Sequence, residues 1–135
     1  MNDKNKDVRF KQRFNHYLKA LDLFQEAVLS NATDRLSQEG LVQRFEYTFE
    51  LAWKCLQDIL VDSGYVQALG PKAVLEQAFQ TGLISHGKTW MLMLQDRNST
   101  THMYDEKVFL KVYHNAVTEF LPLFLELKER LDKLC

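Results

Sequence analysis

The sequence predicts an all-α protein: an antiparallel up-and-down bundle of about five helices that pairs into a homodimer. Three observations predict it. Apolar residues recur at helical spacing through three long segments. Five glycines and two prolines are too few for a fold built on many tight turns. The long segments also carry apolar residues on more than one stripe, which calls for a second packing surface, most commonly a two-fold copy.

A first helix is expected over residues 7–29, where Phe10, Phe14, Tyr17, Leu18, Leu21, Phe24 and Val28 repeat at helical spacing. SNATD then breaks the pattern. A second, long helix is expected over 37–63, with Gln38 and Glu39 in its first turn and Gly64 as its stop. Leu41, Phe45, Phe49, Ala52 and Leu56 form its apolar stripe, and Trp53 widens it. Gly70-Pro71 opens a short third helix that ends at Gly82, since proline is tolerated in a first turn. Ser85 is the expected N-cap of a fourth helix through Trp90, Met91, Leu92 and Leu94. A last helix is expected over 105–134, with Asp105 as N-cap, Glu106 in the first turn and Pro122 producing a kink. With 135 residues, 46% of them hydrophobic, residues 1–135 form a single domain with a core of its own.

The bulk numbers exclude several classes. A net charge of -1 excludes a uniformly basic nucleic-acid coat, so polyanion binding needs a local patch. The N-terminus leans basic through Lys4, Lys6, Arg9, Lys11, Arg13 and Lys19, read as a solvated helix face. Cys55 and Cys135 stand far apart, without a CxxC, so neither a disulfide framework nor a zinc site is expected. His16, His86 and His114 have no His or Cys three or four residues away; no metal and no cofactor are expected. MNDKNKDVRF lacks the apolar region of a signal peptide, and no apolar run reaches about 18 residues. A cytoplasmic protein with no membrane partner is the expectation.

Chemistry concentrates in DRNSTTHMYDEK, residues 96–107. On one continuous helix Arg97 and His102 would point about 140° apart. Asn-Ser-Thr-Thr between them favours caps and turns, because such side chains bond nearby backbone groups. If the fourth helix ends near Arg97, both side chains can face one hollow. Arginine matches phosphate with a planar cationic fork, and histidine moves a proton near neutral pH. Together they can hold a phosphodiester while a ribose 2′-OH attacks it, without a metal. Equally, Arg97 could cap helix carbonyls, His102 could be a surface residue and Tyr104 could pack. Asn98 could touch substrate or finish the helix as a C-cap. Glu46, Glu50 and Lys54 share a face of the second helix, where Glu50 and Lys54 suit an ion pair. Glu46 or Glu50 could instead orient Arg97 across the bundle or contact substrate. Trp53 and Trp90 could stack bases, though apolar helical positions suit core residues.

RFEYTFELAWKCLQDIL (44–60), GPKAVLEQAFQTGLI and WMLMLQDRNSTTHMYD resemble the nucleotidyltransferase substrate-binding proteins of the HEPN superfamily, and are similar to HepT toxins. That resemblance implies a small dimeric helical bundle that works beside a minimal nucleotidyltransferase, an MntA-like partner. Arg97, four residues and His102 fit the family's R-x4-H, and Tyr104 completes R-x4-H-x-Y. The resemblance implies that Arg97 and His102 form a ribonuclease pair acting on RNA, and that AMP transfer to Tyr104 silences it. The alternative it leaves open is a non-catalytic subunit that binds nucleotide or substrate for the nucleotidyltransferase.

Overall fold

The computed structural model describes residues 3–65 and 70–134, with side chains described from Val8 onward. Among the described residues it is helical throughout and has no strand. In order come α1 (Asp3–Ser30), α2 (Arg35–Asp62), α3 (Gly70–Gln80), α4 (Gly87–Ser99), a 3-10 turn (Thr100–His102), α5 (Glu106–Asn115), a π turn (Ala116–Phe120) and α6 (Leu121–Leu134). Helices α1 and α2 form a long antiparallel pair. Helix α3 lies on α2, α4 returns along α3, and α5 and α6 close the bundle against α2 and α1. Cys135 and the side chains of Lys4 and Lys6 lie outside the described residues. No described helix is long and apolar enough to cross a membrane.

Every long stripe named from the sequence feeds one core. Tyr17, Phe24, Phe45, Phe49, Phe109, Phe120 and Phe124 are fully buried, and so is Trp90 at 1% exposure. Trp53 is buried as well, so neither tryptophan offers a face for base stacking. Phe45 is the hub: its ring lies 5.0 Å from Phe120 and within 6.4 Å of Phe24, Phe49 and Phe124. The Tyr17 hydroxyl, enclosed among these rings, donates to the Phe124 carbonyl at 2.6 Å, which satisfies a group that would be costly to bury alone.

The termini show where local chemistry decides. Gly64 adopts φ 96°, and the Tyr65 N–H reaches the Leu60 carbonyl at 2.8 Å, closing α2 with the left-handed stop its glycine allows. Helix α2 begins two residues before the expected Ser37. Asp34, inside the SNATD break, is the N-cap, and its carboxylate accepts from the Ser37 N–H at 2.9 Å. Those bonds hold the Asp34 carboxyl below its ordinary pKa.

Ser85 does not cap α4. The N-cap is His86, in the left-handed conformation at φ 59°, while the Ser85 hydroxyl takes a hydrogen bond from Arg130 of α6 at 3.0 Å. The expected last helix carries an irregular turn ahead of Pro122. Pro122 cannot donate to the Thr118 carbonyl, and its ring crowds that turn. The backbone widens into the π turn immediately before it.

Candidate functional site

Arg97 sits in the last turn of α4, which ends two residues on at Ser99, near the expected place, and tightens into the 3-10 turn through His102. A cation there complements the carbonyl end of the helix. Thr100, not Asn98, terminates α4, since both its N–H and its hydroxyl bond the Arg97 carbonyl, the latter at 2.7 Å. Asn98 instead turns its Oδ1 to Arg97 Nη1 at 3.1 Å.

The Arg97 guanidinium reaches across the bundle to α2. Its Nη2 donates to Glu50 Oε1 at 2.9 Å and Oε2 at 2.7 Å. Glu50 is itself fixed by Trp53, whose Nε1–H donates to Oε1 at 3.1 Å. The two residues lie three apart on α2, so one face of that helix holds both. The Glu50–Lys54 ion pair expected from spacing does not form among the described contacts. Glu50 is taken up by Arg97 and Trp53, and the Lys54 ammonium lies 5.9 Å from the Trp53 ring centre. Arg97 keeps an Nε–H and one Nη1–H without a protein acceptor among the described residues.

Glu46, one turn before Glu50, is half-buried. Burial raises its pKa, and the Thr100 hydroxyl and Arg97 charge pull it partly back. Glu46, Glu50, Arg97 and Thr100 thus form one polar cluster between α2 and α4.

His102 and Tyr104 stand outside that cluster. Both are exposed, Tyr104 at 84%. Their rings meet edge to face, with centres 5.9 Å apart, and His102 Nδ1 lies 3.3 Å from the Tyr104 hydroxyl. No hydrogen bond or ring contact joins Arg97 to His102 among the described residues. The connector separates them: Arg97 points to α2 and His102 to solvent. Tyr104 does not pack. As expected, Asp105 caps the next helix, accepting from the Lys107 N–H at 3.0 Å and the Val108 N–H at 3.4 Å.

Beside Arg97, Asp96 is fully buried. Its Oδ2 accepts from Asn115 Nδ2 at 2.8 Å, at the edge of the π turn, while Oδ1 has no partner among the described residues. Burial raises the Asp96 pKa, against the pull of the Asn115 bond and the Lys111 charge. A carboxyl with a raised folded-state pKa stabilises the fold below its unfolded pKa, and that contribution fades as pH climbs through the folded value. Asp96→Asn should therefore gain in melting temperature over the wild type as pH rises from 4 to 7. Asp96→Ala, which strands the Asn115 amide, should cost about 1–3 kcal/mol. Thermal melts across that pH range check both.

Two contributors to the site are not evident from the sequence. Trp53 anchors Glu50, and its only signal is the three-residue spacing on α2. Arg35 shows a legible i,i+4 pairing with Glu39, but its remaining partners are distant in sequence.

Residues 12–133 match the family described as nucleotidyltransferase substrate binding protein like. A curated relative, the probable ribonuclease HepT of Haemophilus influenzae, is 33% identical over 78 residues. That match covers 55% of this chain and 53% of the relative, about half of each. Two solved structures share the fold. A Thermus thermophilus protein is 30% identical at a TM-score of 0.73, covering 87% of this chain and 98% of its own. A Haemophilus influenzae protein, described as revealing the fold of a substrate binding domain of a nucleotidyltransferase, is 25% identical at a TM-score of 0.74, over 88% of this chain and 98% of its own.

Proposed function

Because the chain belongs to the nucleotidyltransferase substrate binding protein like family, we propose that it works beside a minimal, MntA-like nucleotidyltransferase as the HEPN-type ribonuclease toxin of a toxin–antitoxin pair. The observation that carries this reading is an exposed His102, bonded at 3.3 Å to Tyr104, on the turn that follows an Arg97 anchored by Glu50. Arg97 would bind non-bridging phosphate oxygens through its remaining N–H groups. His102 would take the proton of a ribose 2′-OH as that oxygen attacks phosphorus. The 5′-oxygen would leave with a proton from solvent or from a second histidine, giving a cyclic phosphate and a free 5′-hydroxyl. Transfer of AMP from ATP to the Tyr104 oxygen, with pyrophosphate leaving and the phenol proton passing to solvent, would put a bulky anion against the His102 ring and silence the site.

A two-fold dimer belongs to this reading, since it can supply two Arg97/His102 pairs to one RNA. The surface that suits it is the groove between α3 and α4, lined by Leu75, Phe79, Met91 and Leu92, with Glu76 and Lys88 on its rims. An apolar floor with one acid and one base is self-complementary about a two-fold axis. Phe79 is 54% exposed there. Phe79→Asp should therefore convert a dimer into a monomer in light scattering, while Leu29→Asp, outside that groove, should leave the mass unchanged.

A second reading, a non-catalytic subunit that binds nucleotide for its partner, is favoured by one feature: Glu50 already neutralises Arg97. A small ligand tolerates a near-neutral site better than a polyanion does. The test expresses the chain alone in a bacterial host beside His102→Ala. Equal growth and intact RNA in both would rule out the toxin. Nucleotide affinity that falls in Arg97→Ala, with RNA intact throughout, would establish the second reading.

A further inference from the structure

We infer that Arg35 is a positioning residue for this site: by holding the Met103 carbonyl and the start of α5, it fixes the turn that presents His102 and Tyr104. Arg35 is the first residue of α2, far in sequence from that turn. All three of its guanidinium nitrogens are engaged. Nε donates to Glu39 at 3.0 Å, Nη1 to the Glu106 carboxylate, and Nη2 to the Met103 carbonyl at 3.4 Å. The guanidinium carbon lies 3.6 Å from the centre of the buried Phe109 ring, so one face is stacked while the edges bond.

The placement of these partners gives the inference its content. Met103 is the residue between His102 and Tyr104. Glu106 opens α5, and Phe109 anchors α5 in the core. The turn is also held by the Asp105 N–H on the His102 carbonyl at 3.0 Å and by the Asp105 cap. Those bonds are local and set the shape of the turn. Of the hydrogen bonds described for residues 102–106, those of Arg35 alone tie the turn to another long helix, and they act beside the packing of Met103 and Phe109 on the core. Lysine replaces this arrangement only in part, because it keeps the charge but supplies neither the stacked plane nor three directed edges.

The inference rests on the proposed role of His102, and its test separates the two. Arg35→Ala, Arg35→Lys and a control, Arg13→Ala, are compared in the full chain. Arg13 has its own ion pair, to Asp58 at 2.7 Å, about 35 Å along α2 from Arg35. The readouts are melting temperature, kcat and KM for single-stranded RNA, and the imidazole NMR signals of His102, assigned with His102→Ala. The expected result is a kcat about ten- to a hundredfold lower in Arg35→Ala, with KM changed less than about twofold and partial recovery in Arg35→Lys. The His102 signals should move in Arg35→Ala and stay fixed in Arg13→Ala. A kcat that falls no further than in Arg13→Ala overturns the inference. If the wild type does not cleave RNA, the proposed function fails, and the His102 signals alone decide: moved signals support a positioning role, and unmoved ones end it.

Discussion

On the proposed ribonuclease reading, His102→Ala should lower RNA cleavage by about 10²- to 10⁴-fold, the usual contribution of a proton-transferring side chain, without weakening the fold. The reason is geometric. His102 is exposed, and the Tyr104 hydroxyl, 3.3 Å away, is its one described side-chain hydrogen-bond partner. Its backbone role, accepting from the Asp105 N–H, survives the substitution. Stability should therefore change by less than about 0.5 kcal/mol. A cleavage assay on purified protein and a thermal melt read the two quantities separately. Loss of activity with an unchanged melt is the signature of a chemical residue. Cleavage at the wild-type rate would remove His102 from the mechanism.

Phe45→Ala should cost about 3–5 kcal/mol and lower the melting temperature by more than about 10 °C. Phe45 is fully buried, and its ring contacts come from α1, α2, the π turn and α6 at once. Neighbouring aromatic rings are rigid, so the vacated space cannot close around a methyl group. The loss should reach the site, because Phe45 precedes Glu46 and lies one helical turn from Phe49, which precedes Glu50. Phe45→Leu, which refills most of the volume, should recover more than half of the stability. Denaturant unfolding of the pair checks the size and the recovery. A cost below about 1 kcal/mol for alanine would mean that the bundle collapses into the gap.

Much of the fold was legible in the residues. The stripe from Leu41 to Leu56 placed α2 against the core, Gly64 ended it, and Asp105 opened α5. Each follows from rules that act over a few residues: helical periodicity, the left-handed freedom of glycine and the capping of N–H groups by a short carboxylate. Local rules failed where a distant group competed. Ser85 was a capping residue type near the helix start, yet Arg130 of α6 holds its hydroxyl. Lys54 stood at the right spacing for Glu50, yet Arg97 and Trp53 took the carboxylate. Pro122 announced a disturbance, and the chain answers it with a π turn whose Phe120 ring lies 5.0 Å from Phe45.

The candidate site divides the same way. The residue types in DRNSTTHMYDEK and their fit to R-x4-H-x-Y are properties of the chain alone, because motif chemistry needs only identity and spacing. Helical class, the faces that bury and the stretch where the candidate residues gather are likewise written in the order of the residues. Packing in three dimensions was needed to hold Arg97 on Glu50, 47 residues away, to turn His102 to solvent with Tyr104, and to clamp the turn with Arg35. Charged side chains are long and flexible and accept many partners. Which partner each takes is settled when the packed core fixes the distances between helices.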